Sequence, residues 1–312
     1  MSGASAPGKM MISGEYAVLE GAPAIVAAVQ TRATARFGGD GEVASTDRFP
    51  EAYASRVLAE EALGAVEGDL RIDVSALRRA GQKLGVGSSS AAAAAAAAAV
   101  LAHHDRDLED EDVRRQALRF ALDGHRKVAP RGSGADVAAC TLGGFVRYRR
   151  APGSWDVDAD AVSWPAGLVA RIAWTGQAAS THELITKVHA LRDRDPATYR
   201  AAMARLREES DRFCAAFATV EATLEATRGY FAAMNHLGEA ASAPIVEERL
   251  HRVARLAKEA GGAAKPSGAG GGDVSLALFA SEDGAQAFER ACRDASIEVL
   301  SLALGGPGVR AS

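Results

Sequence analysis

Apolar residues in the first forty positions fall in extended runs rather than at helical spacing. Residues 10–19 are strand-compatible around a break at Gly14, and residues 25–37 continue in the same fashion. Glu20-Gly21-Ala22-Pro23 between them reads as a turn. Helical spacing takes over at 51–66, and Leu70-Arg71-Ile72-Asp73-Val74 alternates like a short strand. Nine alanines, 91–99, then predict a helix that costs almost no side-chain entropy and lets other backbone pack close. Val113, Ala117, Phe120 and Ala121 share one face of a helix over 109–127, and Phe145-Val146-Arg147-Tyr148 begins a strand. The stretch 151–166 is polar, with Pro152, Gly153 and Pro165, and sets an expected boundary between domains at 1–165 and 166–312. Beyond it the pattern predicts a strand at 168–174, helices over 181–192, 197–233 and 244–260, a strand at 274–279, a helix at 283–294 and a strand at 297–304. Strands and helices mixed in two halves make an α+β protein.

Composition changes this picture little. With 312 residues the chain has room for two domains, and 48% hydrophobic against 24% charged residues is an ordinary globular balance. A net charge of −4 gives no reason to expect nucleic acid or an anionic membrane as partner. Cys140, Cys214 and Cys292 are odd in number and scattered, which fits neither a disulfide framework nor a zinc site and points to a reducing compartment. No apolar run approaches about 18 residues, and the first residues show no basic-then-apolar signal. The expectation is a cytoplasmic enzyme.

The chemistry concentrates in small-residue turns. Lys83-Leu84-Gly85-Val86-Gly87-Ser88-Ser89-Ser90 runs directly into the alanine helix. Glycines allow a tight turn, and a helix start aims unpaired N–H groups and a positive dipole end at whatever the turn holds. That is an anion site or, more simply, a capped buried helix. The stretch lacks the Gly-Lys-Ser/Thr of a Walker loop and the third glycine of a dinucleotide fingerprint. Lys83 either reaches a phosphate or lies in solvent. Asp136, in Gly132-Ser133-Gly134-Ala135-Asp136-Val137-Ala138, is a charge among small and apolar residues, costly to bury unless paired or functional, or else a cap at a helix start. Tyr16 reads equally as a cleft or a core residue, His125 as structural, and His103-His104 as solvated surface. No Gly-x-Ser-x-Gly elbow suggests nucleophilic catalysis.

Three motifs together carry a resemblance. Pro7-Gly8-Lys9-Met10-Met11-Ile12-Ser13-Gly14-Glu15-Tyr16-Ala17-Val18-Leu19, the Gly85–Ser90 turn, and Lys265-Pro266-Ser267-Gly268-Ala269-Gly270-Gly271-Gly272-Asp273 stand in the order of the GHMP kinase motifs and span nearly the whole chain. The resemblance implies a ribosomal-S5-like N-terminal ATP-binding domain and a ferredoxin-like C-terminal domain. It implies ATP held by Lys83, Gly85, Val86, Gly87, Ser88, Ser89 and Ser90, with Mg2+ on Ser89. It makes Asp136 the catalytic aspartate, with Lys9 as its partner. Tyr16 after Glu15, the Asp136 motif and Trp174-Thr175-Gly176-Gln177-Ala178-Ala179-Ser180-Thr181 resemble the phosphomevalonate kinase branch in particular. That branch implies 5-phosphomevalonate as acceptor, with Glu15, Tyr16, Ser133, Gly134, Ser180, Thr181 and Gly270 at the substrate. Ser90 in place of the commoner alanine and short loops near 40–70 and 151–165 are departures from its pattern. A mevalonate kinase, a superfamily decarboxylase and a non-catalytic binding protein on the same fold are the alternatives.

Overall fold

The computed structural model describes residues 2–79, 82–176 and 180–312. The chain divides into two compact units, one of residues 1–10, 26–162 and 302–312, the other of residues 11–25 and 163–301. The expected single cut between 165 and 166 therefore gives way to a discontinuous division. The main crossover, at 162/163, falls in the polar stretch. The exchange of 11–25 and 302–312 has no signature in composition, because long strands and tertiary pairing create it.

The first unit is built on one seven-stranded sheet. Its elements are β1 (Gly3–Ser13), β2 (Ala24–Phe37), β3 (Glu42–Val43), α1 (Pro50–Leu63), β4 (Leu70–Asp73), β5 (Arg78–Arg79), β6 (Gln82–Lys83), α2 (Ser88–His103), α3 (Glu111–Val128), α4 (Ala135–Leu142), β7 (Phe145–Arg150) and β8 (Val157–Ala161). The sheet runs from the terminal pair Arg310–Ala311 through β1, β2 and β4 to β3, with β7 against β2 and β8 against β7. Every residue of β1 is buried, Lys9 included, so the strand starts earlier than its apolar run suggests and ends before Gly14. In place of the expected strand at 17–19, a single 3-10 turn covers Ala17–Glu20. Helix α2 buries Ala91 to Leu101 without exception, and its small side chains let α1, α3 and α4 pack closely around it.

The second unit carries β9 (Val169–Trp174), α5 (Thr181–Arg194), α6 (Pro196–Ala216), α7 (Val220–Ala241), α8 (Glu248–Glu259), β10 (Ala263–Ser267), β11 (Val274–Phe279), α9 (Glu282–Asp294) and β12 (Glu298–Leu300). Its sheet has the order β10-β11-β9-β12, antiparallel throughout. The helix expected over 197–233 is two helices. The chain turns at Phe217–Thr219, where Phe217 stacks on Phe213 with centroids 6.0 Å apart and meets Trp164 at 5.6 Å. An aromatic cluster holds this corner, and neither glycine nor proline announces it. β10 escaped the sequence reading because Pro266 disfavours strand assignment.

Candidate active site

β1 passes directly under the glycine–serine turn. Gly8 makes that approach possible, since a Cβ there would stand 2.7 Å from the Val86 carbonyl oxygen. The Lys9 amide donates to the same oxygen at 2.8 Å. Gly87 sits at φ +75° as the N-cap of α2, and a Cβ on it would lie 2.7 Å from Lys9 Cγ. The missing side chain thus makes room for the lysine as well as for the turn. Lys9 then reaches Asp136 in the first turn of α4, Nζ to Oδ2 at 3.0 Å. The lysine side chain is 9% exposed and the aspartate 37%, so the carboxylate looks onto solvent and the ammonium stands behind it. Of the three serines, Ser89 alone is exposed, while Ser88 and Ser90 are buried. No side chain caps α2, which suits first-turn N–H groups directed at an anion. β6 places the Lys83 backbone opposite Arg78, and the Lys83 side chain lies outside the described residues.

Two residues that the sequence reading missed clamp the loop before Asp136. Tyr148, fully buried, donates from its hydroxyl to the Ser133 carbonyl at 2.6 Å. Arg150 donates to the carbonyls of Gly132 at 3.2 Å and Ser154 at 2.8 Å, with its guanidinium over the Trp155 ring at 4.3 Å. Burial holds the Tyr148 phenol above its usual range, so it stays a donor. Their signal was the alternation of buried and exposed positions in β7, which turns Tyr148 and Arg150 to one face. Gly134, at φ +81°, caps α4 where a Cβ would meet Leu122 Cδ2 at 2.6 Å, and Ser133 Oγ accepts from the Ala135 amide. Cys140, in the same helix, is buried, and burial pushes its thiol far up. His125 lies 3.4 Å from Glu51 and beside Trp155, a packed position.

In the second unit three of the residues expected at the substrate are packed into the protein. Glu15 is buried against Lys265, whose Nζ donates to Glu15 Oε1 and to the Pro266 carbonyl. The Gly268 amide also donates to Glu15 Oε1, and Tyr230 donates to the Glu15 carbonyl at 2.9 Å. Burial raises the Glu15 carboxyl and lowers the Lys265 ammonium, each opposed by the other's charge. Tyr16 is buried among Ala17, Leu184 and Tyr230, with its hydroxyl on the Ala269 carbonyl at 2.6 Å. Gly270, at φ +81°, passes so close to Ile245 that a Cβ would stand 2.1 Å from its carbonyl oxygen. Glu15, Tyr16 and Gly270 hold the first and third motifs together through these contacts. Ser180 is exposed and caps α5 by accepting from the Glu183 amide at 3.4 Å, with Thr181 exposed beside it. Ala179 falls outside the described residues.

The family models for the GHMP kinases N terminal domain and the GHMP kinases C terminal match residues 52–144 and 219–297, together more than half of the chain. The chain belongs to the GHMP kinases. Within that family it is 29% identical to the phosphomevalonate kinase of Streptomyces sp., covering 89% of each chain. A mevalonate kinase from Aeropyrum pernix is 27% identical over 61% of this chain and 62% of its own. The structure of Streptococcus pneumoniae phosphomevalonate kinase in complex with phosphomevalonate and AMPPNP shares the fold. It has a TM-score of 0.81 and 17% identity, with 97% of this chain and all of that one covered.

Proposed function

We infer that this chain transfers the γ-phosphoryl group of ATP to the phosphate of 5-phosphomevalonate, giving 5-diphosphomevalonate and ADP. The relative with the wider coverage is a phosphomevalonate kinase, and the relative named for mevalonate covers less of the chain. The observation that carries the chemistry is the Lys9–Asp136 pair, set beneath the Gly85–Ser90 turn. In this reading the backbone of the turn holds the ATP phosphates, and the Lys9 ammonium stabilises charge on the phosphoryl group in flight. A phosphate monoester has a second pKa of about 6, so the attacking oxygen is already ionised near neutral pH. Asp136 therefore works by holding Lys9 and orienting the acceptor more than by removing a proton. Tyr148 and Arg150 keep the loop that carries it in place.

Magnesium fits the exposed donor at Ser89. Among the described residues no group of three His, Cys, Asp or Glu is placed to cage a metal, so the ion would share Ser89 with the oxygens of ATP. Bound there, it would supply positive charge against the phosphates of ATP. Ser180 and Thr181 bring exposed hydroxyls to the start of α5, which supports a phosphate-holding role for them. Cys140, Cys214 and Cys292 form no disulfide, and Cys140 and Cys292 are buried, in keeping with work in the cytoplasm. No described helix is long and apolar enough to cross a membrane. The test is ADP release from MgATP with mevalonate, 5-phosphomevalonate and 5-diphosphomevalonate offered separately. Turnover should require 5-phosphomevalonate, and equal efficiency on mevalonate would reassign the acceptor.

A further inference from the structure

The second unit holds a cavity of about 330 Å³ between α7, α8 and β10 that the proposed reaction does not use. Its origin is a spacing. His251, Ala254, Arg255 and Lys258 recur at helical intervals along one face of α8, with the small Ala254 in the middle of the stripe. Across the gap β10 opens with Ala263 and Ala264, and Phe231 comes down from α7 with its ring edge-on to His251 at 5.5 Å. Small residues on two sides leave the space, and one aromatic ring lines it.

The charge around this cavity runs against the rest of the chain. The protein carries a net −4, yet Arg228, Arg255 and Lys258 all border the cavity, and among the described residues no Asp or Glu lines it. Arg228 reaches across to the Gly262 carbonyl at 3.3 Å and pairs with Glu225 at 3.1 Å. Arg255 meets Glu259 only at 4.0 Å. Both carboxylates belong to exposed side chains outside the lining. An aromatic ring lined up with cationic side chains suits a ligand of matching halves, and the volume falls in the range of small-molecule sites, about 300–1,000 Å³.

We propose that this cavity is a second ligand site, which takes a small amphiphilic phosphate with its hydrocarbon on Phe231 and its phosphate against Arg255 and Lys258. None of these residues belongs to the phosphoryl-transfer machinery, so the site is a place for modulation rather than turnover. The test titrates octyl phosphate, below its micelle threshold, into the full chain by calorimetry, with a saturating non-hydrolysable ATP analogue occupying the nucleotide turn. Binding is expected for octyl phosphate and at least about tenfold weaker for octanol or inorganic phosphate, each of which has only half the chemistry. Arg255→Glu with Lys258→Glu, both exposed positions, should weaken octyl phosphate at least about tenfold and leave ADP release within twofold of wild type. Phe231→Leu, which keeps apolar bulk, should weaken it less than the charge reversals do. No binding by the wild type, or equal binding by the charge-reversed variant, overturns the site. Loss of ADP release in that variant would also count against it. Co-sedimentation with phosphatidylglycerol vesicles in place of octyl phosphate binding would overturn it in favour of a membrane surface. Failure of ADP release in the wild type itself would instead remove the kinase assignment and leave the calorimetry to stand.

Discussion

The first unit holds Lys9 against Asp136, and the second holds Lys265 against Glu15. In composition the two pairs are alike, a lysine and a carboxylate taken from glycine-rich motifs. Their surroundings differ. Asp136 is 37% exposed at a helix start, whereas Lys265 and Glu15 are 0% and 1% exposed and share their hydrogen bonds with backbone groups of the same unit. An ion pair that is open on one side can exchange its partner for a ligand. A closed one cannot, and its worth is confined to holding two segments in register. Charge in a small-residue motif is therefore insufficient to mark a catalytic group, and access decides.

The comparison breaks most sharply at Lys265. Lys265→Met leaves Glu15 as an uncompensated buried charge and should cost about 3–5 kcal/mol of stability by chemical denaturation. The double variant Glu15→Gln/Lys265→Met should recover most of that loss. A Lys265→Met protein as stable as wild type would show that the closed pair is not an ion pair at all.

At the open pair the effect should appear in rate. Lys9→Met removes the charge proposed to act in the transition state, where such a group is worth about 3–4 kcal/mol, so turnover should fall roughly a hundred- to thousandfold while ATP still binds. Asp136→Asn should follow on the same scale, and the double variant should lose less than the product, because the two act as a unit. Stability should change by less than about 1 kcal/mol in Lys9→Met, since the Asp136 carboxylate left behind faces water, and by more in Asp136→Asn, which takes the carboxylate away from the buried Lys9 ammonium. A large drop in stability with normal turnover in the surviving fold would erase the distinction between the two pairs.

Smaller effects sharpen the picture. Tyr148→Phe removes the donor to the Ser133 carbonyl, about 1–3 kcal/mol for a buried group left unpaired. We expect turnover to fall with the KM for ATP unchanged, and steady-state kinetics on both substrates separates the two. A shift confined to the KM for ATP would detach the clamp from Asp136. Ser180→Ala should lower stability by about 1 kcal/mol through the lost cap and reduce efficiency on 5-phosphomevalonate about tenfold. Loss of stability alone at unchanged efficiency would leave Ser180 a cap and nothing more.

Much of the architecture was legible in the chain. Alternation and helical spacing located β2, α1, β4, α3, β9, α5, β11 and α9 to within a few residues, because burial on one face imposes those periods. The glycine–serine turn and the alanine helix were equally plain, since few other residues fold that tightly or pack that closely. Three motifs in order gave the family. Tertiary structure alone decided what the motifs do. Glu15 and Asp136 are both carboxylates within two residues of a glycine, and only the packing of Lys265 and Tyr230 around the one, and solvent beside the other, separates them. Gly87 reads as a phosphate approach, yet the atoms nearest its missing Cβ belong to Lys9, almost eighty positions earlier. The Trp164 contact at the Phe217 corner, the Tyr148–Arg150 clamp and the exchange of residues 11–25 arise from contacts between separate segments. Periodicity records which way a side chain faces, and what it faces is fixed only when the chain has folded.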